Sequence, residues 1–115
     1  MDHRAGGYLT GMSHRTAELR SLELHRMVAD RIVLDATIVE RAVARVRGWV
    51  AGGTVHEAYA TAWLDALEGS RADLLTLLVD DSVRAADLRQ VTPFAGVISD
   101  RDRQDIIRRI GRHAS

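Results

Sequence analysis

The chain has no cysteine, no lysine, one proline and one phenylalanine among its 115 residues. Without cysteine there is no disulfide framework, no thiolate metal site and no cysteine nucleophile, so any core must hold by packing alone. Aromatic residues make up 4% of the chain against 46% hydrophobic residues overall, so that core has to be built from Leu, Val, Ile and Ala. No apolar run approaches the roughly 20 residues that cross a bilayer. The stretch Met1 to Met12 lacks the apolar segment of a signal peptide. Cytoplasmic residence without membrane contact is the expectation. Sixteen arginines balance sixteen acidic residues, so no global field draws the molecule to nucleic acid or anionic lipid. High-GC codon usage accounts for the exclusive use of arginine; selection for planar, bidentate contacts to carboxylate or phosphate is the functional alternative.

A chain of this length is expected to form one compact domain. Gly6, Gly7 and Gly11, with no apolar periodicity around them, predict a flexible N-terminal arm over residues 1–15, within which Met12 could be the true start. The helical domain is expected over residues 16–112. Leu24, Val28 and Ile32 recur every four residues, with Met27 and Leu34 widening the stripe, which predicts a first helix with one buried face. Asp35 is placed to cap a second helix, in which Ile38, Ala42, Val46 and Trp49 line one stripe, Val39, Val43 and Val50 broaden it, and Gly52-Gly53 ends it. That helix is apolar enough to be central.

Thr54-Val55-His56-Glu57 matches a capping box, in which the Thr hydroxyl takes a free helical N–H and the Glu reaches back to the cap. It predicts a third helix that buries Tyr59, Trp63 and Leu67 and stops at Gly69. Ser70-Arg71-Ala72-Asp73 opens a fourth, carrying Leu74, Leu75, Leu77 and Leu78. Asp80-Asp81-Ser82 caps a fifth that runs to about Arg89, with Val83, Ala86 and Leu88 inward. Ser99-Asp100-Arg101-Asp102 opens the last, carrying Ile106, Ile107 and Ile110 before Gly111. The fold class that follows is all-α, a compact single-domain bundle of about five to six helices.

Chemistry-bearing motifs are scarce. His56-Glu57 begins like a zinc-protease motif, but the second imidazole would have to stand at position 60, where the residue is Ala60. Asp80-Asp81 could suggest a Mg²⁺ site, yet no phosphate-binding element accompanies it and helix capping explains both carboxylates. There is no Gly-x-Ser-x-Gly, no P-loop and no Gly-x-Gly-x-x-Gly. No enzyme activity, catalytic residue, metal or cofactor is expected.

Charge is unevenly placed. Residues 54–87 hold seven carboxylates against two arginines, and residues 88–115 hold six arginines against three aspartates. Helix dipoles explain part of this, since acids gather at helix starts and Arg108, Arg109 and Arg112 at a helix end. The functional reading is an acidic face that covers a basic groove on a partner. DNA contact would have to come from the Arg-rich C-terminal helix or the N-terminal arm, because residues 74–89 lack a helix-turn-helix turn and carry the wrong sign for phosphate.

The segment Leu88 to Val97 gathers the rare residues. Arg89, Gln90, Pro93, Phe94 and Gly96 combine a guanidinium, an amide, a rigid turn and an aromatic ring. One reading is a helix connection in which Pro93 sets the turn, Phe94 plugs the core and Arg89 caps helical carbonyls. The other is a docking loop held between rigid helices. On the second reading the partner-binding residues are Arg89, Gln90, Pro93 and Phe94, with Asp80, Asp81 and Asp87 on the acidic side.

Three blocks carry a resemblance: Ser21-Leu22-Glu23-Leu24-His25-Arg26, Tyr59-Ala60-Thr61-Ala62-Trp63, and Leu88-Arg89-Gln90-Val91-Thr92-Pro93-Phe94-Ala95-Gly96-Val97. Together they resemble a group of small actinobacterial, antitoxin-like helical proteins encoded beside a toxin gene. The resemblance implies a protein partner, a cognate toxin enzyme of nucleotidyltransferase-like or RNase type, and no active site. The alternative expectation is a DNA-binding transcriptional regulator or autoregulator; a homodimer is compatible with either.

Overall fold

The computed structural model describes residues 2–114, with side chains over residues 15–110. The expected arm over residues 1–15 therefore lies outside the described side chains except at Arg15, whereas the stop expected at Gly111 does not occur, since the last helix runs on to Ala114. Among the described residues there are six helices and no strand: α1 (Asp2–Leu34), α2 (Thr37–Gly52), α3 (Glu57–Glu68), α4 (Arg71–Val79), α5 (Val83–Arg89) and α6 (Asp100–Ala114). The all-α bundle read from the sequence is the fold observed. None of the helices is long and apolar enough to cross a membrane.

Local chemistry sets the boundaries. Asp35 takes the Thr37 N–H at 3.0 Å and the Thr37 hydroxyl at 2.5 Å, which turns the chain between α1 and α2. These bonds favour the charged carboxylate and hold its pKa below the ordinary value. α2 ends where Gly53 enters the left-handed region at φ 63°. The Thr54 N–H reaches back to the Trp49 carbonyl and the Gly53 N–H to the Val50 carbonyl, the paired closure of a Schellman motif. Thr54 is thus spent on closing α2, so the capping box expected there does not form. The cap of α3 is His56, whose Nδ1 accepts from the Ala58 N–H at 3.1 Å. Ser70, Ser82 and Ser99 act as expected, accepting from the backbone N–H of Asp73, Ala85 and Asp102 respectively.

Packing gathers the buried stripes into one core of Val28, Ala29 and Ile32 from α1, Ile38, Ala42 and Val46 from α2, and Ala60, Trp63 and Leu67 from α3. Leu74 and Leu78 from α4, Leu88 from α5, and Phe94 and Ile98 from the segment after α5 complete it. α1 packs against α2, α4, α5 and α6, whereas α2 packs only against α1 and α3. The central helix is therefore α1 and not, as its composition suggested, α2. Leu34 and Val83, both expected inward, are 84% and 87% exposed. Each sits two residues from a buried position, Ile32 and Ala85, which rotates it about 200° to the far side of its helix. Val50, in the last turn of α2, is also exposed, and nothing in the packing accounts for it.

Candidate functional site

The Leu88–Val97 segment is built as an internal joint. After α5 the chain turns through the Gln90 N–H to the Asp87 carbonyl and the Val91 N–H to the Leu88 carbonyl. The Thr92 hydroxyl oxygen accepts the Phe94 N–H at 3.1 Å, bridging the rigid Pro93. The Val97 N–H then reaches the Phe94 carbonyl at 3.2 Å, with Gly96 at φ 87° in the third position of the turn. That positive φ is what a type II turn demands at this place and what glycine supplies.

This joint aims Phe94 inward. Its ring stands edge-on to Trp63, with centroids 5.8 Å apart, and edge-on to His25 at 6.3 Å. The Trp63 indole N–H donates to the Val91 carbonyl at 2.7 Å and is shared with the Leu88 carbonyl at 3.2 Å, so α3 is pinned to the end of α5. His25 is buried and bonded at both nitrogens, Nδ1 to the Ser21 carbonyl at 2.7 Å and Nε2 to Thr92 Oγ1 at 2.8 Å. Because a carbonyl can only accept, Nδ1 carries the proton and Nε2 accepts from the Thr92 hydroxyl. Burial lowers the imidazole pKa to about 4, opposed by the bond to Ser21 and reinforced by the Arg89 charge.

Arg89 is likewise internal, 4% exposed at the end of α5. Its Nη1 donates to the Asp80 carbonyl at 2.5 Å and the Leu77 carbonyl at 3.3 Å, satisfying the C-terminal end of α4. Its Nε has no hydrogen-bond partner. Burial lowers the guanidinium pKa while Asp80, Glu18 and Asp81 oppose the shift. In place of a docking loop that offers Arg89, Pro93 and Phe94 to a partner, the segment buries all three, and only Gln90 of the expected quartet is exposed. Phe94 bonds to the core because it has Trp63 and His25 to pack on. Arg89 turns inward because α4 ends in unsatisfied carbonyls.

The acidic residues have the opposite placement. Asp80 is half-buried and spends its carboxylate on Ser82, taking the backbone N–H at 3.2 Å and the hydroxyl at 3.0 Å. Asp81 and Asp87 are exposed. The Tyr59 hydroxyl donates to both Asp87 oxygens at 3.0 and 3.1 Å, which joins the start of α3 to α5 and raises the tyrosine pKa. Of the seven carboxylates over residues 54–87, only Glu68 is in an ion pair among the described residues, 3.3 Å from Arg47. Glu57, Asp65, Asp73, Asp81 and Asp87 are exposed and in no ion pair among the described residues, although Asp81 feels the Arg89 charge and Asp87 is held by Tyr59 in a cleft that Arg84 also lines.

No cluster of three or more potential metal-ligating side chains occurs among the described residues. Sequence reasoning missed the His25–Thr92 bond and an arginine-lined groove beside α2. His25 carried a signal, since it lies on the stripe of Val28, Ala29 and Ile32; the groove carried none, because it forms between α2 and a turn distant in sequence. No family model, curated protein or solved structure matches the chain.

Proposed function

We propose that this chain is an antitoxin-like binding protein that neutralises a cognate enzyme by covering a basic groove on it with the acidic helices α3 to α5. The observation that carries this reading is the excess of exposed carboxylates over residues 54–87, Glu57, Asp65, Asp73, Asp81 and Asp87 against Arg71 and Arg84, in a molecule whose net charge is zero. Exposed carboxylates in excess over arginine favour a partner that offers a cationic surface. Gln90, exposed beside Asp87, adds a neutral hydrogen-bonding group to the same contact. The resemblance of the three blocks to antitoxin-like proteins supports the same class of partner.

DNA regulation is the weaker reading. Its arginine-rich element, α6, interleaves Asp100, Asp102 and Asp105 with its arginines and pairs Arg108 with Asp105, which leaves less net positive charge for phosphate. The test is co-expression with the product of the adjacent gene. The expected result is a stable complex in which that product's enzymatic activity is suppressed at one-to-one stoichiometry. Two proteins that elute separately, with activity unaffected, would contradict the proposal.

A further inference from the structure

A concave surface elsewhere on the molecule shares no residue with the acidic face. An open groove of about 400 Å³ runs along α2 between the end of α1 and the turn after Pro93. On its α2 side the exposed Arg41 and Arg45 stand one helical turn apart, while Ile38 and Ala42, which also border it, are buried in the core. The buried Pro93 and the half-buried Val97 border it from the turn, and the exposed Leu34 from the end of α1.

The charge balance is one-sided: Arg31, Arg41 and Arg45 line the groove against the single carboxylate of Asp35, which is already held by Thr37. Arg45 is in no ion pair among the described residues and donates only to the Ala95 carbonyl at 3.1 Å. Arg41 lies 3.5 Å from Asp35 and 3.4 Å from the Thr37 hydroxyl, and Arg31 lies 3.4 Å from Asp102, each pair partly open to solvent. Contacts so long and so exposed yield readily to a carboxylate that can approach to the roughly 2.7–2.9 Å of a charge-assisted bond.

We propose that this groove docks an extended acidic segment of a protein partner, one in which carboxylate and aliphatic side chains alternate. Side chains two apart on an extended strand stand roughly 6.5–7 Å from each other, and Arg41 and Arg45, one helical turn apart, rise by about 6 Å. Successive carboxylates of such a segment therefore meet successive arginines, while the intervening aliphatic side chains face the half-buried Val97 and the exposed Leu34. This inference is independent of the acidic-face proposal, since the charges and the residues are different.

The full chain is titrated by fluorescence anisotropy with a labelled octapeptide of alternating Glu and Val, and with its Gln-Val counterpart, at low ionic strength. The Glu-Val peptide is expected to bind at least about tenfold more tightly. Arg45→Ser should cost about tenfold in affinity with an unchanged melting temperature, whereas Arg101→Ser on α6 and the acidic-face variant Asp81→Arg should leave it unaltered. Equal affinity for the two peptides, or an Arg45→Ser variant that binds like the parent, would overturn the proposal. So would displacement of the peptide by inorganic phosphate at matched ionic strength, which would mark a small-anion site. Self-association that Arg45→Ser abolishes would assign the groove to a second copy of this chain and overturn it equally.

Discussion

Phe94 and His25 share one buried contact and answer for different parts of the stability. Removing the ring that stands between Trp63 and His25 leaves a cavity in the joint of α1, α3 and α5. Phe94→Ala is expected to lower the unfolding free energy by about 3–5 kcal/mol, read by urea denaturation. His25 adds a pH dependence whose sign is fixed by its depressed pKa. The unfolded imidazole takes a proton near pH 6.5, while the folded one refuses it until about pH 4. Stability is therefore full above pH 6.5 and declines as the pH falls toward 4, by about 3 kcal/mol from this group. An imidazole NMR signal for His25 that stays unprotonated at pH 5.5 would agree; titration at the ordinary histidine value would refute the buried tautomer. The burial of His25 was legible in its place on the Val28 and Ile32 stripe. Its partner was not, because Thr92 lies 67 positions away and only the tertiary fold joins them.

Among the helices and their ends, glycine has contrasting roles. Gly48, within α2, is exposed, and an added Cβ would meet nothing within 4 Å. Gly48→Ala is expected to stabilise the protein by about 0.5–1 kcal/mol through helix propensity. Gly53 has equally open space but sits at φ 63°, so Gly53→Ala should cost about 1 kcal/mol for the left-handed backbone alone. Thermal melts of the two variants should move in opposite directions. The element ends were readable wherever a serine acts on its own chain, at Ser70, Ser82 and Ser99, since such caps are local chemistry. The start of α3 was misplaced by two residues because closing α2 claims Thr54 first, a competition between neighbours that a motif scan does not weigh. The joint at Leu88 to Val97 offered both an internal and an external reading, and only packing could choose: the same Phe94 and Arg89 that suit an interface also suit a core and a helix end.

Across the whole molecule, a zero net charge conceals an uneven distribution, an acidic stretch over residues 54–87 and an arginine-lined groove beside α2. The acidic one was visible as a run of carboxylates in the sequence, whereas the centrality of α1 and the groove arise only from how helices cross. Salt should weaken the proposed complex, because exposed charges beyond about 8–10 Å are screened at physiological ionic strength. The most direct measurement is calorimetric affinity for the adjacent gene's product, parent against the pair Asp81→Arg and Asp87→Asn, the asparagine keeping an acceptor for the Tyr59 hydroxyl. If the acidic face makes the contact, the double variant binds at least about tenfold more weakly while remaining folded by circular dichroism. Affinity equal to the parent's would contradict the account.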